Sequence, residues 1–189
     1  MLGFLAYRRM KGKRILVGVT GGIAAYKVPM LIRLLVKVGA EVRVIATPSA
    51  FDFVTRPTLS VLSGNPVYSE MLDNATGQWH NHVELGHWAD LFVIAPLTAN
   101  SLAKIANGFS DNLVTITYLS AACPILLAPA MDLEMWQHPA VIRNIKLVKE
   151  AGNHLVGPEE GTLASGLNGF GRMSEPEEIF NEIAELFHE

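Results

Sequence analysis

Ile15-Leu16-Val17-Gly18-Val19-Thr20-Gly21-Gly22 decides the fold. An unbroken apolar run rich in β-branched residues suits a strand buried on both faces, the environment of a parallel sheet. Thr20-Gly21-Gly22 then turns the chain. From Ile23 to Val38 the apolar residues take helical spacing, with Val28, Leu31, Leu35 and Val38 on one stripe. Pro29 predicts a kink or a frayed first turn, and Gly39 the stop of this helix. Glu41 to Ala46 reads as a second strand, so the opening of the chain is a strand–helix–strand crossover.

The alternation continues. Leu91-Phe92-Val93-Ile94-Ala95 reads as a third strand closed by Pro96, and Thr98 to Asn107 as a helix capped by Thr98 and stopped by Gly108. Asp111 is expected to cap a helix running to about Ala122. Pro124 to Ala128 reads as a fourth strand, Pro139 to Ala151 as a helix ending at Gly152, and Asn153 to Val156 as a short fifth strand. Glu175 to Phe187 has the spacing of a terminal amphipathic helix, with Ile179, Ile183 and Leu186 on one face. Between these, Thr47 to Ser63 reads as a loop with short helical pieces, Gly64 to Asn81 as a turn-rich mobile stretch, and Gly161 to Arg172 as a glycine-rich loop. The pattern predicts an α/β fold, an open parallel sheet with helices on both faces. Ligands of such sheets bind beyond the C-terminal ends of the strands.

Composition narrows the function. Half of the 189 residues are hydrophobic and 17% are charged, which excludes a disordered tail, a coiled coil and a collagen-like fibre. The net charge of −3 argues against nucleic-acid binding by phosphate neutralisation. The one basic cluster, Arg8, Arg9, Lys11, Lys13 and Arg14, reads as a solvated approach to the first strand. Cys123 is the single cysteine, so no intrachain disulfide forms and a reducing, cytoplasmic setting is expected; in its apolar surroundings the thiol reads as a small buried hydrophobe. Residues 113–131 carry no charge, but Thr115, Thr117, Ser120, Pro124 and Pro129 interrupt them, and they read as core rather than as a membrane span. Residues 1–9 read as an extension, with one domain over residues 10–189.

Four groups of residues carry candidate chemistry. Gly21 and Gly22 open a helix directly after a strand, where backbone N–H groups can approach a phosphate; a tight turn without a ligand is an equally good reading. Thr47 and Ser49 sit at the end of the second strand and read by themselves as helix caps. Ala95-Pro96-Leu97-Thr98-Ala99-Asn100-Ser101 reads as a cap or as a cradle for a phosphate or polar ring. His82 lies near His80 and His87, but no cysteine partner or metal-binding helix pattern accompanies them, so no metal is expected and a structural or catalytic histidine is favoured.

Five segments occur together in order: Thr20-Gly21-Gly22-Ile23-Ala24-Ala25-Tyr26-Lys27; His82-Val83-Glu84-Leu85 with Trp88-Ala89-Asp90; Ala95 to Ser101; Pro129-Ala130-Met131-Asp132-Leu133-Glu134-Met135-Trp136; and Gly161-Thr162-Leu163-Ala164-Ser165-Gly166 with Gly171-Arg172-Met173. In them the chain, from about Met10 onward, resembles the homo-oligomeric flavin-containing cysteine decarboxylases, on the phosphopantothenoylcysteine decarboxylase branch. The resemblance implies a flavodoxin-like or Rossmann-like fold, FMN as cofactor near a subunit interface, and a homo-trimer or dodecamer. It implies that Gly21, Gly22, Ile23, Thr47 and Ser49 hold FMN on one side, and Thr98, Ala99, Asn100 and Ser101 on the other. His82 takes the place of the active-site histidine, and Asp132, Thr162, Leu163, Ala164 and Met173 line the substrate site. The implied reaction is FMN-dependent decarboxylation of 4'-phosphopantothenoylcysteine to 4'-phosphopantetheine in coenzyme A biosynthesis, with a phosphopantothenate-cysteine ligase domain as a separate or truncated partner.

Two positions depart from the family pattern. Ser165 stands where the family has a catalytic cysteine, and a hydroxyl is a far weaker acid than a thiol. Asp132 stands where the motif has Asn; an ionised Asp accepts hydrogen bonds but cannot donate one to a carboxylate. Two other functions therefore stay open: oxidative decarboxylation of a peptidyl C-terminal cysteine, which ends at an enethiol, and a non-catalytic FMN-binding regulatory subunit. The Gly161 to Gly171 loop is the expected flap, and Trp88, Trp136 and the uncharged 113–131 segment are the expected core and interface.

Overall fold

A computed structural model describes residues 10–73 and 75–188. The sheet begins with β1 (Arg14–Val19), β2 (Glu41–Ala46) and β3 (Val67–Tyr68), and continues with β4 (Leu91–Leu97), β5 (Ile125–Pro129) and β6 (His154–Leu155). All neighbours are parallel, in the order β3-β2-β1-β4-β5-β6. This is the Rossmann order. Without the two-residue β3 it reduces to the flavodoxin order, so one short edge strand separates the two descriptions. Sequence patterning missed β3. Arg56 holds it in place: the guanidinium donates to Val67 O at 3.0 Å and Ser69 Oγ at 2.8 Å.

Strand side chains alternate between two cores. Ile15, Val17 and Val19 of β1, Val42 and Val44 of β2, and Leu91, Val93 and Ala95 of β4 are buried on one face. There they meet α1 (Val28–Lys37), α2 (Arg56–Ser63) and the terminal α8 (Pro176–Leu186). Leu16, Ile45, Phe92, Ile94 and Leu127 point to the other face. That face is covered by α3 (His82–Trp88), α4 (Ala99–Ala106), α5 (Leu113–Ser120) and α7 (Pro139–Glu150). Each fully buried Leu, Ile or Phe contributes about 1.5–3 kcal/mol. Gly18 is the gap in β1 on the second face: a Cβ there would lie 3.0 Å from the Phe92 ring and 3.3 Å from Val114.

Several local expectations need correction. Ile23–Lys27 is a 3-10 helix, and of the two alternatives for Pro29 the first-turn position holds: it opens α1 and kinks no longer helix. Pro96 does not close β4; it lies inside the strand, preceded by a cis peptide bond. Asn112, not Asp111, caps α5, because its side chain accepts the Thr115 N–H while Thr115 Oγ1 accepts the Asn112 N–H. Gly161 to Arg172 is not an irregular loop but most of an antiparallel hairpin, β7 (Glu159–Thr162) and β8 (Asn168–Arg172). Trp88 and Trp136 are only partly buried, and α3 and the short α6 (Leu133–Gln137) went unread. Residues 1–9 lie outside the described residues; Met10 is fully buried. No helix among the described residues is long and apolar enough to cross a membrane.

Candidate functional site

The C-terminal ends of β1, β2, β4 and β5 open into a cavity of about 870 Å³. It straddles β1 and β4, where the chain order of the sheet reverses and α/β sheets leave a crevice. The turn after β1 supplies Gly21, Gly22, Ile23, Tyr26 and Lys27. The turn after β2 supplies Thr47, Pro48 and Ser49. Beyond β4 come Thr98, Ala99, Asn100, Ser101 and Lys104, with Asp111 and Asn112 at the start of α5. Beyond β5 come Ala130, Met131, Asp132 and Met135. The hairpin closes the far side with Thr162, Leu163, Ala164, Gly171, Arg172 and Met173.

Thr20 fixes the centre of this rim. It is fully buried; its hydroxyl donates to Pro96 O at 2.7 Å and accepts the Thr98 N–H at 3.1 Å. The ends of β1 and β4 are thereby tied together. Thr98 caps α4 by accepting the Ser101 N–H at 3.4 Å, which leaves the Ala99 and Asn100 N–H groups at the helix start without intrahelical partners. Thr47 Oγ1 and Ser49 Oγ are 3.2 Å apart on the neighbouring turn. Glycine is required at position 21, where a Cβ would overlap Ser49 Oγ, and fits closely at position 22, where a Cβ would sit 3.1 Å from Thr98 Cγ2. Short hydroxyls, free N–H groups and close backbone suit a phosphate. Ile23, Ala130, Met131, Leu163 and Met173 add apolar surface for a flat ring.

The hairpin is anchored by charge. Lys27 is 6% exposed, and its Nζ donates to Met173 O and Glu175 Oε1, both at 2.9 Å. Arg172 reaches the same Glu175 oxygen at 3.3 Å. Backbone contact completes the seat: the Met131 N–H donates to Gly171 O at 3.0 Å, and a Cβ on Gly171, whose φ is +144°, would run into Met131 O. On the opposite wall Lys104 Nζ lies 2.6 Å from Asp111 Oδ2, and that hydrogen bond holds the Asp111 carboxyl below the usual carboxylate range.

The two departures from the family pattern touch each other. Asp132 caps α6, with Oδ1 accepting the Leu133 N–H at 2.9 Å. The same oxygen accepts the Ser165 hydroxyl at 2.9 Å. Ser165 is exposed at the hairpin tip and reaches the cavity wall through this bond.

Fourteen of the residues expected from the sequence therefore surround one space, with Ser165 attached at its edge. His82 does not join them. It starts α3 on the second face of the sheet, where Asn81 caps the helix, and α3 packs on α5, with Gly86 against Ser120 O. Its Nδ1 is buried with no hydrogen-bond partner, and the Trp79 ring stands edge-on, centroids 6.1 Å apart. Trp79, Val83 and Leu119 are exposed nearby. Lys104 and Asn112 were missed; no spacing signal marks Lys104, whereas Asn112 sits three residues before Thr115, the spacing of a reciprocal cap. Among the described residues no group of three or more His, Cys, Asp or Glu could hold a metal ion.

Comparison with known proteins follows the same line. A family model described as Flavoprotein matches residues 5–188. A protein named Cysteine/Cysteine sulfinic acid decarboxylase, from an unknown prokaryotic organism, is 51% identical over 71% of this chain and 37% of its own length. The Coenzyme A biosynthesis bifunctional protein CoaBC of Haemophilus influenzae is 45% identical over 95% of this chain and 45% of its own length. The chain thus spans less than half the length of both curated relatives. A solved structure of a cysteine-to-serine mutant of PPC decarboxylase, complexed with pantothenoylaminoethenethiol, superposes with a TM-score of 0.85 at 33% identity, covering 95% of this chain and all of that one.

Proposed function

The chain belongs to the Flavoprotein family, and on that premise we propose that it binds FMN in the strand-end cavity and decarboxylates 4'-phosphopantothenoylcysteine to 4'-phosphopantetheine, a step of coenzyme A biosynthesis. One observation carries the reading: the Gly21–Gly22, Thr47–Ser49 and Thr98–Ser101 turns converge on a single cavity with phosphate-binding chemistry and an apolar wall. When bound, FMN supplies a reversible hydride acceptor for the carbon bearing the thiol, which gives the adjacent carboxylate a route out as CO2. Ser49, Thr98, Ser101 and the α4 N-terminus hold the phosphate. Ile23, Met131, Leu163 and Met173 exclude water from the ring and the reacting carbon. The free oxygen of Asp132 accepts the substrate amide N–H.

His82 enters this reading from outside. The exposed Trp79, Val83 and Leu119 on the side of the sheet where His82 starts α3 suit burial against the cavity mouth of a second copy. The proposed enzyme is accordingly a cytoplasmic homo-oligomer in which residues 10–189 form one FMN-binding domain, working with a phosphopantothenate-cysteine ligase domain as in the bifunctional relatives.

Ser165 favours a second reading. Its proton is shared with Asp132, so the hydroxyl is a poor acid for completing the reduction, and the solved cysteine-to-serine mutant carries an enethiol. On this reading turnover ends at the enethiol. Anaerobic mixing of the FMN-loaded protein with 4'-phosphopantothenoylcysteine separates the cases by product mass. Phosphopantetheine with FMN oxidised at the end supports full turnover. A product lighter by a pair of hydrogens, with bleached FMN, supports the second reading. Absence of CO2 overturns both.

A further inference from the structure

Three cations line the cavity: Lys27, Lys104 and Arg172. Two are committed to the fold. Lys27 is nearly buried and donates to Met173 O and Glu175 Oε1, both at 2.9 Å, so drawing it away would strand a buried ammonium. Lys104 is paired one to one with Asp111 at 2.6 Å. Arg172 differs from both. Its Nη1 lies 3.3 Å from the same Glu175 Oε1 that Lys27 already occupies, and among the described residues it pairs with no other carboxylate. Its side chain is 42% exposed, and the Nε edge lies along Gly161, where a Cβ would come within 3.0 Å of it. Turning the guanidinium from Glu175 into the cavity leaves that carboxylate neutralised by Lys27. The hairpin wall thus offers a planar fork of donors to a ligand anion, and such a fork matches the oxygens of a phosphate or a carboxylate.

The chemistry decides between the two anions. A carboxylate that departs as CO2 loses its charge on the way to the transition state. A cation on it would hold the ground state more tightly than the transition state and slow the reaction. A cation that serves binding belongs on an anion that keeps its charge, and the FMN phosphate has its own cradle at the strand-end turns. We propose that Arg172 is a specificity residue that pairs with the phosphate ester at the non-reacting end of the substrate, and so selects a phosphorylated small molecule over a peptidyl cysteine; the inference rests on the flavin-dependent decarboxylase reading above. Lys27 and Gly161 have positioning roles. Lys27 fixes the chain next to Arg172 through Met173 O and keeps Glu175 paired. Gly161 leaves room for the arginine side chain to lie along the hairpin.

The test has a binding arm and a turnover arm, both on the FMN-loaded protein. Calorimetry compares 4'-phosphopantetheine with pantetheine, which differ only in the phosphate and lack the reacting carboxylate. The phosphorylated ligand binds about tenfold to hundredfold more tightly, the range of charge-assisted hydrogen bonds, and the preference shrinks with added salt. Arg172→Met erases it, and Arg172→Lys, a point charge without the fork, restores part of it. In the turnover arm Arg172→Met lowers the ratio of kcat/KM for 4'-phosphopantothenoylcysteine to that for pantothenoylcysteine about tenfold, through KM. Equal affinities in the unaltered protein overturn the inference. A preference that survives in Arg172→Met gives the phosphate to another cation and overturns it too. An equal loss of turnover with both substrates assigns Arg172 to the reacting carboxylate, with the same result. In all three cases CO2 release from the unaltered protein keeps the decarboxylase reading standing. CO2 from neither substrate overturns that reading, while a phosphate preference lost in Arg172→Met then supports the Arg172 contact by itself.

Discussion

The two walls of the cavity are built by different means. The strand-end wall is local: Thr20, Gly21 and Gly22 follow β1, Thr47 and Ser49 follow β2, Thr98 to Ser101 follow β4, and the parallel sheet lines them up. The hairpin wall is assembled across the chain: Lys27 reaches Met173 and Glu175, Met131 meets Gly171, and Ser165 meets Asp132. The first wall depends on what each turn leaves out, a Cβ or an intrahelical partner. The second depends on side chains that must find one another. Changes to the hairpin wall should therefore alter chemistry and anchoring, and changes to the strand-end wall should alter cofactor affinity.

The largest effect tests the chemistry of the hairpin wall. Ser165→Cys replaces a hydroxyl committed to Asp132 by a thiol with an ordinary pKa near 8.5. If protonation limits the second half of the reaction, phosphopantetheine formation rises about hundredfold, the usual contribution of a placed general acid. The ratio of phosphopantetheine to enethiol, read by mass, checks it; an unchanged ratio assigns the proton donor elsewhere.

Lys27→Met breaks the anchor. It removes a nearly buried ammonium and strips Met173 O and Glu175 of a donor. Breaking a fully buried pair costs about 3–5 kcal/mol, but Glu175 is 42% exposed, and solvent screening reduces the expected loss to about 2 kcal/mol. In a chain of this size that lowers Tm by about 4–8 °C. Proteolysis should cut the hairpin before the sheet, because the loss is local to the wall.

On the other wall, Gly21→Ala forces a methyl group into the Ser49 side chain and within 2.8 Å of its carbonyl carbon. Overpacking of this kind costs about 1–3 kcal/mol. It displaces the turn that FMN needs, so FMN affinity falls about tenfold, measurable by fluorescence titration. If the affinity holds while hairpin variants lose FMN, the assignment of the two walls is reversed.

The same division explains what the sequence revealed. The strand-end turns were legible because each is a short run whose glycines and hydroxyls act next to their own strand. The hairpin is not legible because Gly161, Gly166, Gly169 and Gly171 hide the strand pattern; only pairing with the partner strand, and the seat of Gly171 on Met131, define it. β3 was invisible for a related reason: Val67 and Tyr68 are too few to show alternation, and Arg56 holds them from a helix. Resemblance gives His82 the place of the active-site histidine, and the fold sets it on the second face of the sheet, where Asn81 caps α3 and α3 packs on α5.

The smallest effect lies at the opposite rim, where neither wall is involved. Arg14 opens β1 and Asp90 precedes β4. The Asp90 carboxylate accepts the Arg14 N–H at 2.8 Å and pairs with its guanidinium at 2.7 Å. The hydrogen bond from the Arg14 guanidinium, helped by that backbone N–H, holds the Asp90 carboxyl below the ordinary carboxylate range against the opposing effect of its partial burial. A carboxyl whose pKa is lower folded than unfolded stabilises the fold above the unfolded value, near 3.9, and loses that contribution as pH falls through the folded value. Asp90→Asn should therefore lower Tm by a constant small amount between about pH 5 and 8, with the gap to the unaltered protein closing below about pH 4. Both side chains are partly solvated, so the gap is smaller than that of Lys27→Met and shrinks with added salt. FMN affinity should not change, because the pair stands at the N-terminal ends of the strands. Paired melting curves across pH, with an FMN titration at pH 7, check both halves; a loss of FMN binding would mean that strain at one end of β1 and β4 is transmitted to the turns at the other.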